Sequence, residues 1–303
     1  MKSIVRRLPY VGQVFLERDE LKAELTRYKT WVPPGHFYSP IPSLTEIRSC
    51  EGRIFQSSEK TILAVDLNEA GQLELFDTLG QYYGELPFGS QKRKDLRYYF
   101  ENPAYSYCDA IILYCMIRHF SPKRFIEVGS GYSSCVVLDT NELFFDNRIS
   151  LTFIEPQTEL LFSLIKESDK ETSKIIPTDL QDVGLKVFSE LCPGDILFVD
   201  STHVSKIGSD VNHIFFEILP RLARSVYIHF HDGFYPFEYP KGWIYEGRAW
   251  NEIYLLRAFL QYNPSFQIVL FNDLLCRVHP DKLLREMPLC MKHPGGSLWL
   301  RKI

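Results

Sequence analysis

Two short stretches carry the residue types that acid–base or metal chemistry needs. One reads Phe198-Val199-Asp200-Ser201-Thr202-His203 and the other His229-Phe230-His231-Asp232. In each, an apolar run ends on carboxylates and imidazoles. Carboxylate oxygens together with an imidazole suit a divalent cation. A neutral histidine can take the proton of a hydroxyl near neutral pH. Asp200, His231 and Asp232 are therefore candidate metal ligands, and His203 with Asp200 the candidate catalytic pair. His229 alternates with His231, so both face one side of a strand; His229 reads as a packed residue, and so does His213 in a helical stretch.

A third stretch, Glu127-Val128-Gly129-Ser130-Gly131-Tyr132-Ser133-Ser134, sits where an apolar run gives way to a helical pattern. Glycines at such a junction permit a tight turn and close approach of a ligand to the backbone, and the helix start offers free N–H groups. Ser134 stands where a dinucleotide-binding turn has its third glycine, a departure from the strict NAD pattern. Glu155 ends the next apolar run, where a carboxylate can accept both hydroxyls of a ribose. Its plainer role is a charge at a helix start beside Pro156.

The elements that must position these groups follow from the hydropathy pattern. Strand-like runs occur at 124–128, 151–154, 174–176, 196–199, 226–228, 267–271 and 297–300, with helical stretches at 132–143, 157–168, 181–191 and 209–222. Such alternation implies a doubly wound α/β fold, with a mostly parallel seven-stranded sheet covered on both faces. The last two runs lack a clear crossover helix, which predicts a C-terminal antiparallel hairpin. In an open sheet of this kind, the strand ends carrying Asp200 and Asp232 line the ligand crevice. Residues 104–303 form the expected ligand-binding domain and 1–103 an N-terminal helix with an extension or cap. The helix, over 12–29, is charged with a thin apolar stripe; it reads as a homo-oligomerisation helix or as a surface helix on its own chain. The segment from Pro33 to Pro42 is rigid and aromatic, and reads as a strap or as a wall of an acceptor pocket.

On these residues the chain resembles the class I S-adenosylmethionine-dependent methyltransferases, over roughly 105–303. The resemblance implies that Gly129 and Gly131 wrap the amino acid part of S-adenosylmethionine, with Tyr132 and Ser133 at the helix start. It implies that Glu127 orients the loop or the amino group and that Glu155 holds the ribose. Gln181 and Asp182, with Asp179, follow the third strand, where the family contacts adenine. The Asp-Ser-x-His stretch and the strand-five pair resemble the metal-dependent O-methyltransferases, including enzymes acting on sugars. There His203 takes the place of the base, three positions after the first aspartate. His231 departs from that pattern, which more often has a carboxylate.

After Asp232 comes Gly233-Phe234-Tyr235-Pro236-Phe237-Glu238-Tyr239-Pro240-Lys241-Gly242-Trp243, then Arg248-Ala249-Trp250-Asn251-Glu252 opening a helix. Such a loop would cover the crevice. Aromatic faces stack on sugars, so Tyr235, Trp250 and Asn251 are candidate substrate contacts for a small or glycan acceptor. A packed lid without substrate contact is the competing reading.

Composition narrows the classes further. The net charge of -4 leaves no electrostatic footprint for nucleic acid. No apolar stretch approaches the ~20 residues of a membrane span, and the first residues lack the apolar segment of a secretory signal. Seven widely spaced cysteines without a C-x-x-C fit a reducing compartment, so a cytoplasmic location is expected. The expected activity is O-methyl transfer assisted by a divalent metal, with an NAD-type oxidoreductase and a non-catalytic binding or scaffold protein as the rivals.

Overall fold

A computed structural model of the protein describes residues 9–27, 30–55 and 61–303, which fall into two compact units divided between Ile54 and Phe55. The first unit holds helix α1 (Pro9–Arg27) and the short helix α2 (Leu44–Ser49), with α3 (Glu51–Phe55) at its end. Leu16, Leu21 and Leu25 of α1 are exposed. The last two positions of the helix expected over 12–29 lie outside the described residues, as does the chain start on which the location rests. In the aromatic segment Trp31 stacks on Tyr38 at 5.1 Å, and Phe37 and Tyr38 remain largely exposed.

The second unit is built on a seven-stranded sheet in the order β3-β2-β1-β4-β5-β7-β6. The strands are β1 (Arg124–Val128), β2 (Ser150–Ile154), β3 (Lys174–Ile176), β4 (Ile196–Val199), β5 (Tyr227–His231), β6 (Phe266–Phe271) and β7 (Ser297–Lys302). All pairs are parallel except those of β7, which runs antiparallel to β5 and β6. In β1, β2 and β4 nearly every residue is buried, as a sheet covered on both faces requires.

Helix α4 (Glu69–Tyr83) precedes the sheet, α5 (Tyr107–Phe120) leads into β1 and α6 (Tyr132–Phe145) follows it. Helix α5 is buried along its whole length to Ile117, which explains its unbroken apolar sequence. The next crossovers are more broken than their sequences suggest. The span 157–168 divides into α7 (Glu159–Leu164) and α8 (Glu167–Thr172), parted where Ile165 is extended. The span 181–191 keeps a 3₁₀ turn, Leu180–Asp182, and one helical turn, α9 (Lys186–Ser189). The span 209–222 begins as α10 (Asp210–His213), widens into a π turn and ends in a 3₁₀ turn at Pro220, which has no N–H to continue a helix. After β5 come α11 (Lys241–Tyr245) and α12 (Glu252–Leu260).

Strands β6 and β7 form the expected C-terminal antiparallel pair, with α13 (Asn272–Val278) and α14 (Pro280–Glu286) in the connection between them. Residues of the 61–103 stretch are tied to the sheet. The Asn68 side chain donates to the Ile268 carbonyl at 2.8 Å, and Gln72 accepts from the Phe271 N–H at 2.7 Å. Helix α4 thereby covers β6, an edge strand that would otherwise present free backbone groups. Arg97, 4% exposed, pairs with Asp139 of α6 at 2.7 Å, Asp169 of α8 at 2.5 Å and Glu142 at 2.8 Å. The Arg97 and Tyr98 N–H groups also donate to Asp139. Among the described residues no helix is long and apolar enough to cross a membrane.

Candidate active site

The pairing of β1 with β4 brings the glycine turn and Asp200 together. Gly129 follows β1 with φ at +79°, and a Cβ there would lie 1.8 Å from the Asp200 carbonyl oxygen. Only glycine satisfies both the left-handed backbone and that approach. The Gly129 N–H donates to Ile154 and the Asp200 N–H to Val128, so the ends of β1, β2 and β4 are held side by side. They form the wall of a crevice of about 400 Å³ lined by Gly129, Glu155, Asp179, Gln181 and Asp200, among others.

The expected cofactor residues divide into three groups. Gly129, Glu155 and Gln181 line the crevice; Asp182 is not among its lining residues, whereas Asp179 is. Glu155 accepts from the Ser130 and Gln157 N–H groups, at 3.0 and 2.7 Å. Glu127 lies beneath the turn, fully buried, and accepts from the Ser133 and Ser134 hydroxyls at 2.6 and 2.5 Å. Burial outweighs those hydrogen bonds and pushes its pKa up to about 8. Gly131 caps α6, and Tyr132 starts it with its ring edge-on to Tyr99. The Ser130 hydroxyl is buried without a hydrogen-bond partner.

Beyond Asp200 the acid–base residues converge on His203. Its Nε2 lies 3.2 Å from Asp200 Oδ1 and 3.6 Å from Asp232 Oδ2, and its Nδ1 lies 2.8 Å from Glu252 Oε2. His203 is 5% exposed, while a third of the Asp200 side chain remains open. Burial works against charge on the imidazole, yet the hydrogen bonds and fields of Asp200 and Glu252 prevail and raise its pKa to about 10. His231 Nε2 is 3.5 Å from Asp232 Oδ1. Burial opposes its charge too, and Asp232 and Asp200 hold its pKa above the usual value. Asp200 is held low against its own burial by the two imidazoles, whereas burial prevails at Asp232 and raises it. His203 and Asp232 both take left-handed backbone angles, with φ at +59° and +55°. Such angles cost on the order of 1 kcal/mol for a non-glycine residue and gather at functional sites.

Of the expected metal ligands, Asp200 and Asp232 both approach His203, and His231 approaches Asp232. Even so, no three histidine, cysteine or acidic side chains among the described residues are arranged to hold an ion. His203 Nε2 lies within 3.6 Å of both aspartates. His229 is a packed residue: it stacks on Phe198 at 4.0 Å, and burial holds its pKa well below the usual value.

The substrate candidates separate. Trp250 lies against the His203 ring at 4.4 Å. Asn251 accepts from the Ser205 N–H at 2.6 Å and so fixes the loop carrying His203. Tyr235 is buried beside β6, with its ring edge-on to Phe271. Glu252 is not among the candidate site residues, although the sequence carries a signal for it. It lies on the buried stripe of α12 with Leu256 and Leu260, at the four-residue spacing of one helix face. A carboxylate on an apolar stripe needs a partner.

Comparison with known proteins bears on this arrangement. Residues 126–233 match a family model described as a methyltransferase domain. An uncharacterized protein of Archaeoglobus fulgidus is 33% identical over 168 residues, which cover 52% of this chain and 73% of that protein. Among solved structures, the O-methyltransferase TomG from Streptomyces achromogenes, in complex with S-adenosylmethionine, is 14% identical. The match covers 76% of this chain and 97% of that one, with a TM-score of 0.46. A methyltransferase of Podospora anserina bound to S-adenosylhomocysteine is also 14% identical, covering 81% and 100%, with a TM-score of 0.43. These two likenesses are too distant to argue from.

Proposed function

Because the chain belongs to the S-adenosylmethionine-dependent methyltransferases, we propose that it methylates a hydroxyl oxygen of a small acceptor, a sugar or glycan unit, with His203 as the base. One observation carries the reading: Asp200 is at once a wall of the crevice that begins at Gly129 and a partner of His203. A methyl donor seated on the glycine turn would therefore end beside a proton acceptor.

The crevice residues fit the cofactor. The glycine cradle admits its amino acid part, and Glu155 offers a carboxylate to a ribose. When bound, the cofactor supplies a methyl group on a sulfonium that is already a good leaving group. The protein's task is then alignment and proton removal. A sugar hydroxyl hardly ionises near neutral pH, so His203 Nε2 takes its proton as the new carbon–oxygen bond forms. Asp200 and Asp232 stabilise the imidazolium that results, and Trp250 offers an aromatic face to a sugar ring. The residues as arranged do not fit a metal ion, and no step is assigned to one.

The test is label transfer from S-adenosylmethionine carrying a ¹³C methyl group, offered to methyl glycosides, phenols and amines. A new methoxy carbon signal on a glycoside or phenol is expected. Asp200→Asn should lower turnover by about 10²-fold or more while calorimetric cofactor affinity changes only a few-fold. Label on nitrogen, or an Asp200→Asn protein with full turnover, defeats the reading.

A further inference from the structure

We infer that Glu252 is the positioning residue of His203: it fixes which ring nitrogen carries the proton and aims Nε2 at the crevice. The inference rests on the reading of His203 as base.

Four contacts from one short segment hold the histidine. Glu252 Oε2 meets Nδ1 at 2.8 Å. The Asn251 and Glu252 N–H groups both donate to the His203 carbonyl oxygen, at 3.0 and 3.1 Å. The Trp250 ring covers the imidazole face at 4.4 Å. The carboxylate cannot swing away, because its other oxygen accepts from the Ser201 hydroxyl at 2.9 Å and the residue is only 4% exposed.

A carboxylate accepts hydrogen bonds and donates none when ionised. Nδ1 must therefore carry the hydrogen, which leaves Nε2 as the atom that gains or loses a proton. That atom faces Asp200 and Asp232. The His203 backbone is in the left-handed region, so the two N–H bonds to its carbonyl also hold a conformation the residue would otherwise leave. The segment has a further tie: the Tyr239 hydroxyl accepts from the Ile253 N–H at 3.2 Å, and Trp243 lies edge-on to Trp250 at 5.4 Å. The aromatic loop after β5 is thereby anchored to the residues that orient the base.

The experiment uses the full chain as wild type, Glu252→Gln, Glu252→Asp and His203→Ala. The first readout needs no acceptor: ¹⁵N-labelled protein with S-adenosylhomocysteine bound, in which the His203 ring signals, assigned by their loss in His203→Ala, report the tautomer. Read at a pH above about 10, where the ring is neutral, wild type should show the hydrogen on Nδ1. Glu252→Gln, whose amide can donate to Nδ1, should shift it toward Nε2. The second readout is turnover with the acceptor that takes label in the preceding experiment. Glu252→Gln should lower kcat by about 10²- to 10⁴-fold, in the range that a wrong tautomer costs, with KM within about threefold. Glu252→Asp should recover part of the loss. An unchanged tautomer in Glu252→Gln, or turnover within threefold of wild type, overturns the inference. If the glutamine variant does not fold, a wild-type ring with its hydrogen on Nε2 overturns it equally. Full activity in His203→Ala would instead remove His203 as base, while the tautomer result would still stand on its own.

Discussion

Arg97 and His203 each sit among three carboxylates, both nearly inaccessible to solvent, in two regions of the same unit. Around Arg97 the partners are Asp139, Glu142 and Asp169, at 2.5 to 2.8 Å. Around His203 they are Glu252 at 2.8 Å, Asp200 at 3.2 Å and Asp232 at 3.6 Å. The guanidinium cannot lose its charge within a protein's working range, and its cage is closed by short bonds that tie residues 97–98 to α6 and α8. The imidazole can lose its proton, and its cage is tight on the Nδ1 side and slack on the Nε2 side, where Asp200 opens to the crevice. A cation surrounded by acids therefore says little about function. Whether it can titrate, and whether one side of it is loose and reachable, separates a structural joint from a chemical one.

The sharpest way to break that contrast is to remove each cation. His203→Ala should lower turnover by about 10²- to 10⁴-fold, the range of general-base contributions, together with a loss of stability near neutral pH, where its raised pKa makes its ion pairs contribute. Arg97→Met should cost stability alone. It leaves Asp139 and Asp169 buried without their cation, which typically costs about 3–5 kcal/mol, while turnover measured well below the melting temperature stays close to wild type. A large loss of stability from His203→Ala with no loss of turnover would place both cages in the same structural class.

The pH dependence separates the two cages next. The His203 pKa is raised to about 10, so its stabilising contribution is complete below the unfolded value of roughly 6.5 and is lost as pH rises through about 10. A base acts only when deprotonated, so kcat/KM should climb over the same interval. Rate and His203-linked stability thus move in opposite directions, and neither trend should depend on Arg97. Glu127 titrates nearby, at about 8; its raised value also gives a stability loss with rising pH, which persists in His203→Ala. Comparing that variant with wild type therefore isolates the histidine. A rate profile flat from pH 6.5 to 10 would separate His203 from proton removal.

The sequence exposes one side of this comparison better than the other. Asp200, His203 and Asp232 are legible because each follows an apolar run, and a doubly wound sheet gathers such strand ends on one edge. The Gly129 turn is legible because strand, glycines and helix are contiguous. Glu252 and the Arg97 cage are harder, since their partners are remote in the chain: His203 and Glu252 are 49 residues apart, Arg97 and Asp169 72. Local patterns carry no distances of that kind. The broken crossovers have a similar cause. Apolar spacing predicts helix over 181–191, but Gly184 and the packing of Leu180, Val183 and Phe188 leave only two short turns. Leu274, Leu275 and Leu283 give the helices between β6 and β7 a buried face.

The smallest expected effect is the one that bears on the metal. The donor set of Asp200, His231 and Asp232 has the composition of a divalent site, and His203 reaches into it. His203 Nε2 lies 3.2 Å from Asp200 and 3.6 Å from Asp232, so an ion there would have to displace it from both carboxylates. Chelator treatment followed by assay in excess chelator should accordingly leave turnover within about twofold of the untreated protein, and added Mg²⁺ or Mn²⁺ should not raise it. Turnover that collapses in chelator and returns with the ion would reverse the argument. Asp200, His231 and Asp232 would then be ligands, and the contact between His203 and Asp200 would belong to the metal-free state alone.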